Sequence, residues 1–167
     1  STLPSGGILT DNLVISLDAM GGDDAPKIVV DGAEIARKKY HQAKFLLFGD
    51  ELAIKPLLDK YPALGAVSQI RHTPDRVSSS EKPGIALRTG RNSSMRLAIN
   101  AVADKEAHCV VSAGNTGALM AMAKFSMKLL PGVTRPAIAA YFPTLKAGHG
   151  TVMLDLGANI ECDAKIL

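Results

Sequence analysis

Tryptophan is absent from this 167-residue sequence, and aromatic residues make up only 4% of it. Proteins that hold single-stranded nucleic acid stack bases on aromatic rings inside basic grooves. With so few rings and a net formal charge of only +3, no nucleic-acid partner is expected. Cysteine is equally scarce: Cys109 and Cys162 fit neither a disulfide framework nor a zinc spacing. A reducing cytoplasm is the simplest setting, and no metal is implied. No apolar run approaches the roughly 18 residues of a membrane span. Residues 1–12, STLPSGGILTDN, have neither the basic start nor the apolar stretch of a signal peptide. They read as a flexible leader or a cloning remnant and stand outside the fold argument.

Catalytic and cofactor signatures are missing as well. There is no G-x-x-x-x-G-K-[ST], no G-x-G-x-x-G after a strand, no H-E-x-x-H and no G-x-S-x-G. Nucleotide hydrolysis, the usual dinucleotide site, zinc proteolysis and the serine-hydrolase elbow are therefore not signalled.

What remains is an ordinary globular composition, 47% hydrophobic and 21% charged, long enough for one domain with its own core. Apolar runs at Leu13–Asp18, Lys44–Phe48, Val67–His72 and His108–Ser112 read as strands. Helical spacing appears from Pro26 to about Tyr40, from Asp50 to Leu58, from Met95 to Ala103 and from Gly117 to Leu130. Asp50 and Ser93 or Ser94 are natural N-caps, and Pro131-Gly132 stops the last helix. Ala137–Phe142 and Thr151–Leu156 read as two further strands. Residues 73–91 have the weakest pattern, polar with Pro74, Pro83 and Gly84, and read as a mobile flap or a surface excursion with one helical turn.

Strands alternating with helices predict an α/β fold: a mostly parallel, doubly wound, Rossmann-like sheet with helices on both faces. Ligands of such sheets bind outside the carboxyl ends of the strands. Three small-residue segments fall there: Asp18-Ala19-Met20-Gly21-Gly22-Asp23, Gly114-Asn115-Thr116-Gly117 and Asp155-Leu156-Gly157-Ala158-Asn159. Glycine lets a backbone approach a ligand closely, and a helix N-terminus favours an anion. The Gly114–Gly117 turn is either such a site or simply a tight strand–helix connection. Ser93-Ser94 reads more readily as a cap than as a site. Asp18 and Asp155, each ending an apolar strand, either fix loops or face a ligand. Cys109 reads as a small core residue, and His149, between two glycines, is the one histidine to watch. Met120, Met122 and Met127 read as core filling, and Lys124 with Lys128 as a solvated helix face. Local chemistry thus leads to an α/β protein that binds a small anion on its strand-end rim.

The motifs DAMGGD, SSM at a helix start, SAGNTGAL, RPAI, PT after a strand and LDLGANIEC occur in this order. Together they resemble the bacterial phosphate acyltransferase family, PlsX, the acyl-ACP:phosphate transacylases of phospholipid synthesis. The resemblance covers about Leu13 to Cys162. It departs at Asn92, where the family usually has Asp before the serine pair. It departs also in length, the family being about twice as long; residues 13–167 then correspond to the N-terminal part of a catalytic domain.

The resemblance implies a fold similar to the phosphate acetyltransferase and isocitrate dehydrogenase group. It implies transfer of a fatty acyl group from acyl carrier protein to inorganic phosphate, without a cofactor. Asn115 and Thr116 would be catalytic. Gly21, Gly22, Ser93, Ser94, Gly114, Gly117 and Asn159 would surround phosphate and acyl group, while Asp18 and Asp155 fix loops. It also implies a homodimer in the cytoplasm, with any peripheral membrane contact made by the other half. The competing readings are a phosphate acetyltransferase using acetyl-CoA and a non-catalytic anion-binding module.

Overall fold

The computed structural model describes residues 13–133, 136–144 and 150–154. The chain divides into two units, residues 1–126 and 127–167.

The first unit is built on a four-stranded, wholly parallel sheet. Its strands are β1 (Leu13–Asp18), β2 (Ala43–Gly49), β3 (Ser68–His72) and β4 (Cys109–Val111), in the order β3-β2-β1-β4. The helices between them are α1 (Lys27–Lys39), α2 (Glu51–Leu58), α3 (Pro62–Gly65), α4 (Pro83–Thr89) and α5 (Ser94–Ala103); α6 (Thr116–Ser126) follows β4. Side chains alternate across a strand, and each face of this sheet has its own core. Leu17, Phe45 and Leu47 pack with Val30 and Ala33 of α1, Ile54 and Leu58 of α2 and Leu64 of α3. Leu46 and Phe48 point the other way, onto Ala98 and Ala101 of α5. α4 and α6 contact each other, and α6 also contacts α5.

Local chemistry accounts for most boundaries. The Asp50 carboxylate accepts from the Leu52 N–H at 3.0 Å and caps α2. The Ser93 hydroxyl accepts from the Arg96 N–H at 3.2 Å and caps α5. Arg37, Lys38 and Lys39 lie in the last turn of α1, where cations suit the negative end of the helix. α6 closes at Ser126, before the expected Leu130; Lys128 therefore lies beyond the helix that carries Lys124.

Three elements differ from the sequence reading. α3 was not expected; Pro62 starts it and Leu64, fully buried, holds it down. Residues 73–91 are an anchored excursion rather than a flap: Thr73 and Val77 are buried, the Ser94 N–H donates to the Asp75 carbonyl at 2.9 Å, and α4 forms around buried Ala86. Cys109 is exposed rather than in the core, because β4 is the edge strand of the described sheet.

The second unit contains β5 (Ala139–Pro143) and β6 (Gly150–Leu154). Both expected strands form, and they pair antiparallel with each other, Tyr141 opposite Val152.

Candidate functional site

The sheet order reverses at β1. From β1 the chain steps outward to β2 and β3, and β4 then returns to the other side of β1. The loops leaving the adjacent ends of β1 and β4 lie side by side there, a Cβ on Gly114 falling 3.3 Å from the Gly21 Cα, at the usual ligand position in doubly wound sheets. A cavity of about 630 Å³ lies there. Met20, Gly22 and Asp23 line it from the β1 loop, Ala113 through Gly117 from the β4 loop, and Arg76 through Ser79 from the segment after β3.

The floor is organised by Asp18. Its side chain is 2% exposed and projects on the α5 face, as Ser16 does. The Ser94 hydroxyl donates to its Oδ1 at 2.6 Å and the Ser112 hydroxyl to its Oδ2 at 2.7 Å. The Gly114 N–H in turn donates to Ser112 Oγ at 3.1 Å. One carboxylate thus ties the end of β1, the first turn of α5 and the β4 loop together. Gly21 is required beside it, since a Cβ there would lie 2.5 Å from Asp18 Oδ2. Gly22 has φ +102°, a conformation glycine adopts without strain.

Asn115 sits at the head of α6. Its Oδ1 accepts from the Ala118 N–H at 3.0 Å and caps the helix. Its Nδ2 lies 3.2 Å from the Ser78 and Ser79 carbonyls and 2.7 Å from that of Glu81. The side chain therefore both starts α6 and clamps residues 78–81 over the cavity. The cap satisfies Ala118; the N–H groups of Thr116 and Gly117 have no intrahelical acceptor by helix geometry, and both residues line the cavity. Gly117 also lets α6 close on α4: an added Cβ would lie 2.7 Å from Pro83 Cγ.

Arg76 was missed in the sequence. It lines the cavity, is exposed, and makes no ion pair among the described residues. Ser78 and Ser79 join it. The signal was available, because residues 73–82 also leave the carboxyl end of a strand, but a weak apolar pattern hid it. Among the described residues Asp23 is the one carboxylate on the lining.

Other expected site residues stand apart from the lining. Ser93 and Ser94 are each 1% exposed; Ser93 donates to the Gly90 carbonyl at 2.7 Å and caps α5, and Ser94 holds Asp18. Asp155 and Asn159 lie outside the described residues, as do His149 and Cys162. Met122 is fully buried. Cys109 is not on the lining, and partial burial pushes its thiol pKa up, which disfavours a thiolate. Among the described residues no group of three His, Cys, Asp or Glu is placed to hold a metal ion. No helix among them is long and apolar enough to cross a membrane.

A family profile described as fatty acid synthesis protein matches residues 13–167. The chain is 65% identical over 156 residues to the phosphate acyltransferase of Rhodospirillum centenum, covering 93% of this chain and 43% of that protein. It is 57% identical over 159 residues to the phosphate acyltransferase of Rhodospirillum rubrum, covering 95% and 45%. The enzyme of the same name from Paramagnetospirillum magneticum is 51% identical over 155 residues, covering 93% and 44%. The chain thus spans less than half the length of these curated relatives.

Proposed function

The chain belongs to the fatty acid synthesis protein family of phosphate acyltransferases, and from that premise we propose that the complete protein transfers a fatty acyl group from acyl carrier protein to inorganic phosphate. The supporting observation is the cavity where the sheet order reverses, with glycine loops, a helix N-terminus and the exposed Arg76 on one lining.

The reaction suits that lining. Phosphate is already an anionic nucleophile at neutral pH. Its oxygen attacks the thioester carbonyl carbon, the C–S bond breaks, and the carrier thiolate leaves to take a proton from water. A thiol with a pKa near 8.5 leaves without a strong general acid. The demand on the protein is to hold phosphate beside the carbonyl and to stabilise the tetrahedral oxyanion. Arg76 and the backbone donors of Thr116 and Gly117 are suited to those tasks. The cavity lining has hydroxyls but, among the described residues, no histidine or cysteine, which favours direct attack over a covalent acyl-enzyme. Asn115 acts as a positioning residue, since its amide is engaged on both sides. Gly21, Gly22 and Gly114 allow the two loops to meet at the anion, and Asp18 holds them. A homodimer, cytoplasmic, with peripheral membrane contact through its remaining chain, completes the proposal.

The decisive experiment incubates the complete protein with acyl carrier protein thioester, phosphate and hydroxylamine. A fatty acyl hydroxamate that needs both donor and phosphate is expected. Thioester loss at the same rate without phosphate identifies a thioesterase, and a preference for acetyl-CoA identifies an acetyltransferase. Arg76→Gln should raise the phosphate KM roughly tenfold, on the scale of one charge-assisted hydrogen bond.

A further inference from the structure

A second cavity, about 510 Å³, lies among α4, α5 and α6. Leu87, Arg88, Arg91, Arg96, Asn100 and Phe125 line it. Helices α4, α5 and α6 contain no Asp or Glu, and none of the three arginines makes an ion pair among the described residues. Arg96 is held in place: its Nε donates to Asn100 Oδ1 at 3.2 Å, and its guanidinium stands 5.1 Å from the centre of the Phe125 ring. The ring itself is 71% exposed. One held guanidinium and two exposed ones around an open aromatic ring complement carboxylates interspersed with apolar side chains, which is the surface of an acidic protein rather than a lone small anion.

The groove is also well placed. α6 carries Thr116 at the first cavity and Phe125 at the second. Nine residues of helix separate them by about 13 Å. A pantetheine arm is comparable in length with about five extended peptide units, or about 16 Å. A partner seated at Phe125 could therefore deliver a thioester to the glycine loops.

We propose that this groove docks the acidic body of the acyl carrier protein, an inference that rests on the proposed acyl transfer. Arg88 and Arg91 pair with its carboxylates, and Phe125 packs against its apolar side chains. Electrostatic steering then speeds encounter and weakens as salt rises.

The test uses the complete protein and its Arg88→Glu/Arg91→Glu variant, with labelled holo acyl carrier protein in fluorescence anisotropy. Turnover is followed with two donors, acyl carrier protein thioester and the acyl-CoA that lacks a protein body. The variant should bind the carrier at least tenfold more weakly and lose most of the salt dependence. KM for the carrier thioester should rise in step, with acyl-CoA turnover and phosphate KM changed less than twofold. Arg91→Glu alone, at an exposed loop residue, carries the same test if the double variant does not fold. Unchanged carrier affinity overturns the proposal, as does an equal loss with both donors. So does weakened binding to phosphatidylglycerol vesicles with carrier binding intact, which assigns the groove to lipid. A wild type that binds the carrier but yields no acyl phosphate from either donor refutes the proposed reaction instead, and leaves anisotropy to judge the surface.

Discussion

The two faces of the parallel sheet are finished differently. On the face covered by α1, α2 and α3, the core is apolar and the helices carry ion pairs within themselves or just beyond their ends. Lys27 meets Asp31 at 2.5 Å, Arg37 meets Glu34 at 2.7 Å, and Lys55 meets Asp59 at 3.4 Å. On the face covered by α5, with α4 and α6 alongside, Ser16, Asp18, Ser93 and Ser94 are buried and hydrogen-bonded, and Arg88, Arg91 and Arg96 make no ion pair among the described residues. Both cavities are lined by residues of this second side or of the loops beside it. A face that satisfies itself supplies stability. A face that keeps ordered polar groups and unpaired cations is equipped for partners.

The sharpest way to break this contrast is to damage the self-contained face. Phe45→Ala empties a side chain that is 2% exposed and should cost about 3–5 kcal/mol, read from denaturant midpoints. The folded fraction should keep its phosphate KM. A shifted KM would show that the two faces are not separable.

Asp18 comes next. Asp18→Ala strands the buried Ser94 hydroxyl, at about 1–3 kcal/mol for a buried group left unpaired, releases the half-buried Ser112 hydroxyl, and should also depress turnover by loosening the β4 loop. Asp18→Asn keeps an acceptor and should fall between wild type and Ala in both readings. If Asn is as inactive as Ala but fully stable, the carboxylate charge itself is needed.

Asn115 separates capping from clamping. Asn115→Ser retains a cap oxygen, whereas Asn115→Ala retains neither function. Both should lose roughly 10–100-fold in kcat, or about 1.4–2.7 kcal/mol, through release of residues 78–81. Only Ala should also lose about 1 kcal/mol of stability through the missing cap. Serine at wild-type kcat would reduce the loop to a tight helix entrance.

The smallest effect concerns pH and the paired face. Hydrogen bonding to Arg37 holds the Glu34 carboxyl below its ordinary value of 4.5. The contribution is therefore fully present above that value and is lost as pH falls through the lower folded value. Glu34→Gln should flatten the decline of melting temperature below pH 4.5, while Arg88→Gln leaves it unchanged. An equal response of both variants would mean that the cations of the second face are paired in solution.

Much of the scaffold was legible because its causes are local. The β1 run matched its observed bounds, Asp50 capped α2 and Ser93 capped α5, each through contacts two or three residues away. Glycine positions were legible too, although part of their meaning differs. Gly21 makes room for Asp18 and Gly117 for Pro83, so small residues in these loops serve packing as well as access. The edge position of Cys109 and the anchoring of residues 73–82 escaped, since neither burial nor clamping is written in the spacing of neighbouring side chains.

By itself the sequence determined the alternation of strands and helices, the helix starts, the strand-end loops and, through its ordered motifs, the family. Tertiary structure alone decided which loops meet. Strand order places β4 beside β1, bringing Ser94 and Ser112 onto Asp18 across 76 and 94 residues of chain. It also sets Asn115 over carbonyls 34 to 37 residues away and collects three arginines and a phenylalanine from separate elements. Periodicity reports a residue's immediate surroundings, whereas a site depends on distances between segments, and those follow only from the order in which the strands pair.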